Sequence, residues 1–314
     1  MGEGARRPGR IDAMRALAID MGGTQLRVAL VDGEGSILAR ASAATDVAGG
    51  PGPVIAQMRD LIDRLGGGLG AVSAVGVCAP GPLDSDTGTI IDIPTMPGWQ
   101  EFPLRETLAR TLGLPVTLEN DGIAAANGEW RQGAGRGLSH LVYVTVSTGV
   151  GGGVVADGRL LRGRRGMAGH VGHLLIDRDG PRCSCGATGC LEAMASGSAL
   201  GAAGRKTGFA DAKEIVRAAR QGNAAALELL RREAEYLAYG FASLLHLYSP
   251  EILIMGGGVS QALDLMLPDI EAQLQRLAMP PFRSVKIAPA LLGDNAGLIG
   301  AAALALEKLA GTGL

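Results

Sequence analysis

The sequence has few aromatic residues, no long apolar run and almost no net charge. Phenylalanine, tryptophan and tyrosine make up 3% of the 314 residues, so valine, isoleucine, leucine and alanine must pack the cores. No apolar run reaches the roughly 18 residues that a membrane-spanning helix needs, which excludes a transmembrane segment. The 29 Lys and Arg residues are balanced by 31 Asp and Glu residues, which argues against binding nucleic acid over a basic face.

Cysteine is also scarce, and its placement is informative. There are four cysteines, and three of them, Cys183, Cys185 and Cys190, fall within eight residues. Residues 1–14 are polar and lack the apolar stretch of a signal peptide, so we interpret them as a disordered tail. We therefore expect a cytoplasmic protein with reduced thiols, in which clustered cysteines favour a metal over a disulfide.

Glycine, by contrast, is abundant. It accounts for 50 of the 314 residues, well above the usual fraction of about 7%. No collagen-like period is present, so the glycines are expected to serve turns and close approaches of the backbone to ligands. The length corresponds to two domains at about 150 residues each.

Two glycine turns predict two similarly built lobes. A buried strand at 16–20 leads through the turn 21–24 into an alternating strand at 25–32. A strand at 140–147 leads in the same way through 148–151 into a second return strand. We expect a duplicated architecture in which each lobe opens with a hairpin, although two unrelated hairpins remain an alternative.

Apolar residues at helical spacing predict a helix over 53–65, a long helix around 230–248 and a C-terminal helix over 296–310. Combined with the strands, this pattern indicates an α/β protein. We expect a smaller lobe of residues 15–118 and 293–314 and a larger lobe of residues 119–292 that contains the cysteine segment.

The glycine turns are candidate nucleotide-binding sites. Glycine lets backbone N–H groups approach phosphate oxygens, and the Thr24 hydroxyl adds a donor. No Gly-Lys-Ser/Thr sequence follows, which excludes a P-loop, and the strand that follows Thr24 excludes a dinucleotide fingerprint. Plain tight turns remain the alternative. The candidate residues are Asp20, Gly22, Gly23, Thr24, Gln25, Thr148, Gly149, Gly151, Gly152, Gly153, Gly256 and Gly257.

The cysteine cluster is a candidate metal site. Cys183, Cys185 and Cys190, with His173 ten residues before the first of them, form a Cys3His set typical of tetrahedral zinc. Four protein ligands leave no coordination position open, so the zinc is expected to be structural rather than catalytic. Free buried thiols are the alternative.

These motifs together resemble the ROK family of repressors, open reading frames and sugar kinases. The resemblance is carried by residues 20–24, 119–121, 147–153 and 169–173 and by Cys-x-Cys-Gly-x-x-Gly-Cys-Leu-Glu, and it covers residues 16–310. It implies the actin-like, ribonuclease-H-like ATPase fold, with two α/β lobes around a central cleft that holds sugar and ATP.

The resemblance also implies the chemistry of the site. Asp121 would be the base that accepts the proton of the sugar C6 hydroxyl as this hydroxyl attacks the γ-phosphate of ATP. Mg²⁺ would bridge the phosphates, with Asp20 as an outer partner, and we expect a homodimer. The residues by themselves leave a helix cap open as the only role of Asp121. The implied sugar contacts are Gly81, Thr95, Asn120, Asp121, His170, His173 and Glu192.

His170 departs from the usual family motif Glu-x-Gly-His. The imidazole in place of this glutamate resembles the bacterial N-acetylmannosamine kinases, so N-acetylmannosamine is the favoured sugar, with glucose or another hexose as the alternative. A loop histidine without a sugar contact also remains possible. Family repressors carry a DNA-binding domain ahead of the first glycine turn, and only 19 residues precede Asp20, so we expect an enzyme with no nucleic-acid partner.

Overall fold

The computed structural model describes residue 11 and residues 14–66 and 69–311. The disordered tail predicted for residues 1–14 therefore falls, except for residues 11 and 14, outside the described residues. The chain divides into two compact units. Unit 1 comprises Met1–Gln132, Arg162–Ala168 and Asn295–Leu314, and unit 2 comprises Gly133–Leu161 and Gly169–Asp294.

Unit 1 contains a five-stranded sheet with the strand order β3-β2-β1-β4-β7. Strands β1, β2 and β3 pair antiparallel, and β1, β4 and β7 pair parallel. Its strands are β1 (Arg15–Met21), β2 (Gln25–Asp32), β3 (Ile37–Ala44), β4 (Ala74–Ala79) and β7 (Val116–Asn120), with a separate hairpin of β5 (Leu83–Asp84) and β6 (Thr89–Ile90). Its helices are α1 (Pro51–Arg64), α2 (Leu104–Leu112), α3 (Asp121–Gln132) and α9 (Ala296–Ala310).

Unit 2 repeats this arrangement with a sheet of order β10-β9-β8-β11-β12. Its first hairpin is again antiparallel, and β8, β11 and β12 are parallel. Its strands are β8 (Leu141–Val146), β9 (Val150–Ala156), β10 (Arg159–Leu160), β11 (Ile252–Gly256) and β12 (Lys286–Pro289). Its helices are α4 (Leu191–Ala195), α5 (Gly197–Arg205), α6 (Ala212–Arg220), α7 (Ala224–Tyr248) and α8 (Leu263–Leu277).

The local sequence explains why these elements form. Every residue of β4 is buried, as expected for an apolar strand in the middle of a sheet covered on both faces. Helix α1 begins with a proline in its first turn, where the missing N–H group costs no hydrogen bond. Its buried side chains, Val54, Met58, Leu61 and Ile62, follow the helical period that predicted a helix over 53–65.

The two units differ from the predicted lobes in three places, the smallest of which is that residues 293 and 294 belong to unit 2. Residues 119–132 belong to unit 1, because β7 pairs with β4 and α3 packs along α9. Residues 162–168 also belong to unit 1, although the chain on both sides of them belongs to unit 2. Helix α8 was not indicated by the sequence pattern, since Pro268 lies inside it and proline normally interrupts a helix.

Helices α3 and α9 pack with their backbones in close contact. A Cβ on Gly300 would collide with the carbonyl oxygen of Ala124, and one on Gly128 would collide with that of Ala296. The Asn127 side chain adds a hydrogen bond of 3.1 Å to the carbonyl oxygen of Gly300. Glycine at these two positions therefore allows α3 and α9 to approach each other closely, and this packing fixes the position of α3.

Within residue 11 and residues 14–66 and 69–311, no helix is both long and apolar enough to cross a membrane.

Candidate functional site

In unit 1, Asp20 lies near the end of β1 and is held by its neighbours in the sheet. Its Oδ2 accepts a hydrogen bond of 3.0 Å from Arg27, which faces it on β2. Its Oδ1 accepts a weak hydrogen bond of 3.5 Å from the Cys78 thiol on β4. Cys78 is fully buried, as is common for a free cysteine, and burial beside Asp20 raises the pKa of its thiol. These two contacts fix the orientation of the Asp20 carboxylate.

The first glycine turn closes on itself. The N–H of Gly22 donates to the carbonyl oxygen of Gln25 at 3.0 Å. The carbonyl oxygen of Gly22 accepts from the Thr45 hydroxyl at 2.6 Å. A Cβ on Gly23 would lie 3.7 Å from Thr95 Oγ1, so the loop with this candidate sugar contact borders the turn. Because the Gly22 N–H is already paired, a phosphate at this turn would be met by the other amides and by the Thr24 hydroxyl.

Asn120 and Asp121 lie where β7 passes directly into α3. The Asn120 Oδ1 accepts from the N–H groups of Gly122 at 3.0 Å and Ile123 at 3.4 Å and so caps the first turn of the helix. The Asp121 Oδ1 accepts from the same Gly122 N–H at 2.8 Å. These bonds place the Asp121 carboxylate at the positive end of the α3 dipole.

The environment of Asp121 raises its pKa. The side chain remains accessible to solvent, but protein rather than water fills most of the volume around its carboxyl group. This desolvation raises the pKa of Asp121 to about 6, and the negative charge of Asp20 adds to the effect. A carboxylate with a pKa near neutrality is a better proton acceptor than an ordinary aspartate, and such a group at the end of a strand is a candidate general base.

In unit 2, the turn between β8 and β9 is hydrogen-bonded to the start of α5. The N–H of Ser147 donates to the carbonyl oxygen of Gly149 at 2.9 Å. The carbonyl oxygen of Ser147 accepts at 2.7 Å from the N–H of Gly197, the first residue of α5. Thr148 is exposed, as is expected of a residue that meets a ligand.

Several predicted nucleotide contacts of unit 2 also have a packing role. A Cβ on Gly152, in the middle of β9, would collide with the Tyr143 carbonyl oxygen, and one on Gly257 would collide with Val146. A Cβ on Gly256 would meet the Tyr143 hydroxyl. Gly151 and Gly153 lie in β9 opposite β8. Gly152, Gly256 and Gly257 are therefore required by close packing beside the turn, whether or not they also meet a ligand.

Glu192 links the second glycine turn to the cysteine loop. Its Oε2 accepts from the N–H of Val150 at 3.0 Å, and its Oε1 accepts from the Ser184 hydroxyl at 3.0 Å. A Cβ on Gly149 would lie 2.5 Å from its Oε2, so this glycine makes room for the carboxylate. These protein contacts were not foreseen from the sequence, which indicated only a sugar contact for Glu192.

The four predicted metal ligands are brought together in unit 2. One ligand atom from each of His173, Cys183, Cys185 and Cys190 lies within 4.8 Å of the other three. The Cys185 and Cys190 sulfurs are 3.7 Å apart, and the Cys183 sulfur is 3.7 Å from His173 Nδ1. Tetrahedral zinc with Zn–S bonds of about 2.3 Å separates two sulfurs by about 3.8 Å, so the cluster has the right size.

The charge state of the cluster depends on whether a cation is bound. Burial and the two neighbouring thiols raise the pKa of Cys190 to about 12. Without a positive charge among them, three thiols so close together would not all ionise. A bound cation reverses this preference, since metal binding deprotonates thiol ligands.

His170 lies three residues before the predicted metal ligand His173, and their rings stack with centroids 6.2 Å apart. Burial and the neighbouring His173 lower the pKa of His170, so its neutral imidazole predominates at pH 7. A neutral imidazole both accepts and donates a hydrogen bond, which suits it to a hydroxyl or an amide of a ligand.

The candidate residues are thus distributed over both units. Unit 1 carries the glycine turn of Asp20 and the loop and helix-start residues Gly81, Thr95, Asn120 and Asp121. Unit 2 carries the second glycine turn, His170, Glu192 and the metal cluster.

Comparison with known proteins gives a consistent result. Residues 16–308 match the model of the ROK family. The chain is 36% identical over 316 residues to a glucokinase of Thermotoga maritima, covering 95% of this chain and 99% of the relative. It is 38% identical over 299 residues to an N-acetylmannosamine kinase of Escherichia coli, covering 94% and 100%.

A solved structure extends this likeness to the fold. The crystal structure of a ROK family glucokinase from Streptomyces griseus in complex with glucose and AMPPNP matches 93% of this chain and 99% of that chain, with a TM-score of 0.81 and 35% identity. This match confirms the α/β fold of the actin-like ATPase class that the motifs predicted. The chain therefore belongs to the ROK family.

Proposed function

We propose that the protein is an ATP-dependent sugar kinase that phosphorylates the C6 hydroxyl of an aldohexose or an N-acyl hexosamine. The observation that carries this proposal is the position of Asp121, whose carboxylate lies at the start of α3 with a pKa raised to about 6. Asp121 accepts the proton of the attacking hydroxyl as the bond to the γ-phosphate forms and the bond to ADP breaks. A carboxylate suffices, because the transition state is loose and the proton leaves late.

The glycine turns are assigned to the phosphates of ATP. Thr24 and the amides of the first turn, together with Thr148 and Gly149 of the second, are donors that suit phosphate oxygens. Mg²⁺ that accompanies ATP neutralises the charge on the β- and γ-phosphates. Asp20, oriented by Arg27 and Cys78, is the carboxylate placed to accept a water ligand of this ion.

N-acetylmannosamine is the favoured substrate, and glucose is the alternative. His170 supports the first, since it takes the place of the glutamate that most family kinases use and is held neutral by its surroundings. The two named relatives differ by only two percentage points of identity, so overall similarity supports both sugars equally. The distinction therefore rests on His170, together with Asn120, Thr95 and Gly81.

We propose that the Cys3His group binds structural zinc. His173, Cys183, Cys185 and Cys190 fill the four positions of a tetrahedral ion, which leaves none for a substrate or for water. Zinc would stabilise the loop that presents His170 and, through Ser184, the carboxylate of Glu192.

The experiment is a panel of sugars in an assay that couples ADP release to NADH oxidation. N-acetylmannosamine, glucose, mannose, N-acetylglucosamine and fructose are compared by kcat/KM, with the Asp121→Asn variant as the matched control. We expect a clear preference for one hexose or N-acyl hexosamine, and a loss of kcat of about 10²- to 10⁴-fold in the variant. Absence of activity on every sugar, or near-normal turnover by the variant, would contradict the proposal.

The choice between the two sugars is tested by His170→Glu, which restores the common family motif. If His170 contacts the sugar, the ratio of kcat/KM for N-acetylmannosamine to that for glucose falls in the variant. An unchanged ratio would show that His170 does not select the sugar, and the argument for N-acetylmannosamine would then fail.

A further inference from the structure

A buried ion pair lies directly beside the proposed base. Glu119, at the end of β7, has 1% of its side chain exposed, and its Oε2 accepts a hydrogen bond of 2.7 Å from Arg162 Nε. A second nitrogen of the Arg162 guanidinium donates to the Ser85 hydroxyl at 2.7 Å. Burial raises the pKa of Glu119, and the positive charge of Arg162 opposes this rise. The guanidinium thus offsets part of the cost of burying the Glu119 carboxylate.

The other oxygen of Glu119 reaches the start of α3. Its Oε1 accepts from the backbone N–H of Asn120 at 3.0 Å. The side chain of Asn120 in turn accepts from Gly122 and Ile123, and Gly122 also donates to Asp121. An unbroken series of hydrogen bonds therefore runs from Arg162 through Glu119 and Asn120 to the turn that holds the Asp121 carboxylate.

Arg162 reaches Glu119 because the segment Arg162–Ala168 packs against the rest of unit 1. Besides the Arg162 contacts, Arg165 Nε donates to Asp84 Oδ2 at 2.6 Å, and the N–H of Ser85 donates to the Arg165 carbonyl oxygen at 3.0 Å. Gly166 has a φ of +73°, and a Cβ there would collide with the Ser85 hydroxyl. Two ion pairs and a glycine contact thus hold this segment in place.

We propose that Arg162 is a positioning residue of the kinase, an inference that rests on the function proposed above. By pairing with Glu119, Arg162 keeps the Glu119 carboxylate turned toward the Asn120 N–H, and this contact fixes the orientation of Asp121. Its role requires no contact with sugar or nucleotide. Without the guanidinium, the buried charge of Glu119 is unpaired, which is costly, and the side chain is no longer held against Asn120.

Two double variants separate positioning from stability. Glu119→Gln with Arg162→Met removes both charges but keeps a side-chain oxygen for the Asn120 N–H. Glu119→Met with Arg162→Met also removes both charges and keeps a similar volume, but leaves the Asn120 N–H without its acceptor. Arg165→Met serves as the control, because it breaks the other ion pair of the same segment without touching Glu119.

We expect the Gln/Met variant and Arg165→Met to keep kcat within about threefold of the wild-type value. The Met/Met variant should lose about tenfold to 100-fold in kcat with little change in the KM for ATP, because a small displacement of a reacting group costs this much. Arg162→Met alone, which leaves the Glu119 carboxylate in place without its partner, should show a similar loss. A kcat within about threefold of the wild-type value in Arg162→Met, equal kcat in the two double variants, or an equal loss in Arg165→Met would overturn the inference.

Hydrogen exchange gives a readout that does not depend on activity. Backbone amides in a peptide covering 117–126 should exchange faster in Arg162→Met and in the Met/Met variant than in the Gln/Met variant. Identical exchange would overturn the positioning role even if the enzyme is active. A wild-type protein that phosphorylates no sugar would refute the proposed function alone, because the exchange difference would still decide whether Arg162 orders the start of α3.

Discussion

At the scale of the residue, the protein places one carboxylate in an environment that changes its chemistry. Asp121 and Asp20 are both acidic residues at strand ends of unit 1, but Asp20 is paired with Arg27, whereas desolvation dominates at Asp121. Two carboxylates of the same type thereby acquire different roles. Asp20 is held in an ion pair, and Asp121 becomes a group that can exchange a proton near neutral pH.

The raised pKa predicts how activity depends on pH. Asp121 must be ionised to accept the hydroxyl proton, so kcat/KM should fall as the pH drops through about 6. An ordinary aspartate would give this fall near pH 4. The measurement is kcat/KM between pH 4.5 and 8.5 with the preferred sugar subsaturating. A flat profile down to pH 5 would show that Asp121 is not the base.

The same shift predicts a gain of stability when the charge is removed. Because the pKa of Asp121 is higher in the folded state than in the unfolded chain, folding favours the protonated form. This contribution is fully present below about pH 4, where both states are protonated, and is lost as the pH rises through about 6. Asp121→Asn, which stays uncharged, should therefore melt at a higher temperature than the wild type at pH 8. The difference should shrink toward pH 4, and calorimetry at both pH values checks this; an equal Tm at pH 8 would contradict it.

At the scale of the element, the start of α3 and the loop 173–190 are held in place by different kinds of contact. The start of α3 is held by polar contacts and by close packing against α9. The loop 173–190 has little apolar burial of its own, and its proposed zinc takes the place of a core. Each element should therefore respond to a different kind of substitution.

The zinc assignment predicts a joint loss of metal and stability. Cys185→Ser replaces an exposed thiolate ligand by a hydroxyl, which binds zinc much more weakly. We expect less than one zinc per chain by elemental analysis and a lower Tm than the wild type. Ser184→Ala, which changes the neighbouring residue but no ligand, is the control. A wild-type protein purified without zinc would refute the assignment.

The packing of α3 against α9 predicts a cost at Gly300. A methyl group there would collide with the backbone carbonyl of Ala124, which has no flexible side chain to move aside. Gly300→Ala should therefore lower the free energy of unfolding by about 1–3 kcal/mol. Gly297→Ala, on the same helix, would place its methyl 3.8 Å from Asp20 Cγ, an ordinary distance, and 3.1 Å from the Cys78 sulfur, a tight contact with a side chain rather than with backbone. It should therefore cost less. Urea unfolding of the two variants checks the order, and equal costs would contradict it.

At the scale of the whole molecule, two units have separate sheets and separate cores. The largest core of unit 1 surrounds β1, β4 and α1, and that of unit 2 surrounds β8, α7 and α8. The proposed zinc ligands all lie in unit 2, and the proposed base lies in unit 1. Effects of the metal on stability should therefore be regional.

This separation predicts a regional pattern of hydrogen exchange after metal removal. A zinc chelator should raise exchange in peptides that cover 169–195, where the ligands, Glu192 and α4 lie. Peptides that cover β1 and β4 should exchange as before. Equal increases in both units would mean that the zinc stabilises the molecule globally rather than its own loop.

The sequence by itself determined the features that depend on residues close together in the chain. The two hairpins, helix α1 and the Cys3His set follow from local spacing, because hydrophobic period, turn residues and ligand spacing are local properties. The candidate base Asp121 was implied by the resemblance to the family. The family follows from the same motifs. These predictions needed no knowledge of which elements are neighbours.

The tertiary structure alone decided the contacts between residues distant in sequence. It assigned α3 and the segment Arg162–Ala168 to unit 1, paired Arg162 with Glu119 across 43 positions, and directed Glu192 toward Val150 and Ser184. It also raised the pKa of Asp121, because desolvation depends on all the atoms packed around a group. Such properties arise from the long-range packing of strands and helices, and neither residue type nor local spacing encodes them.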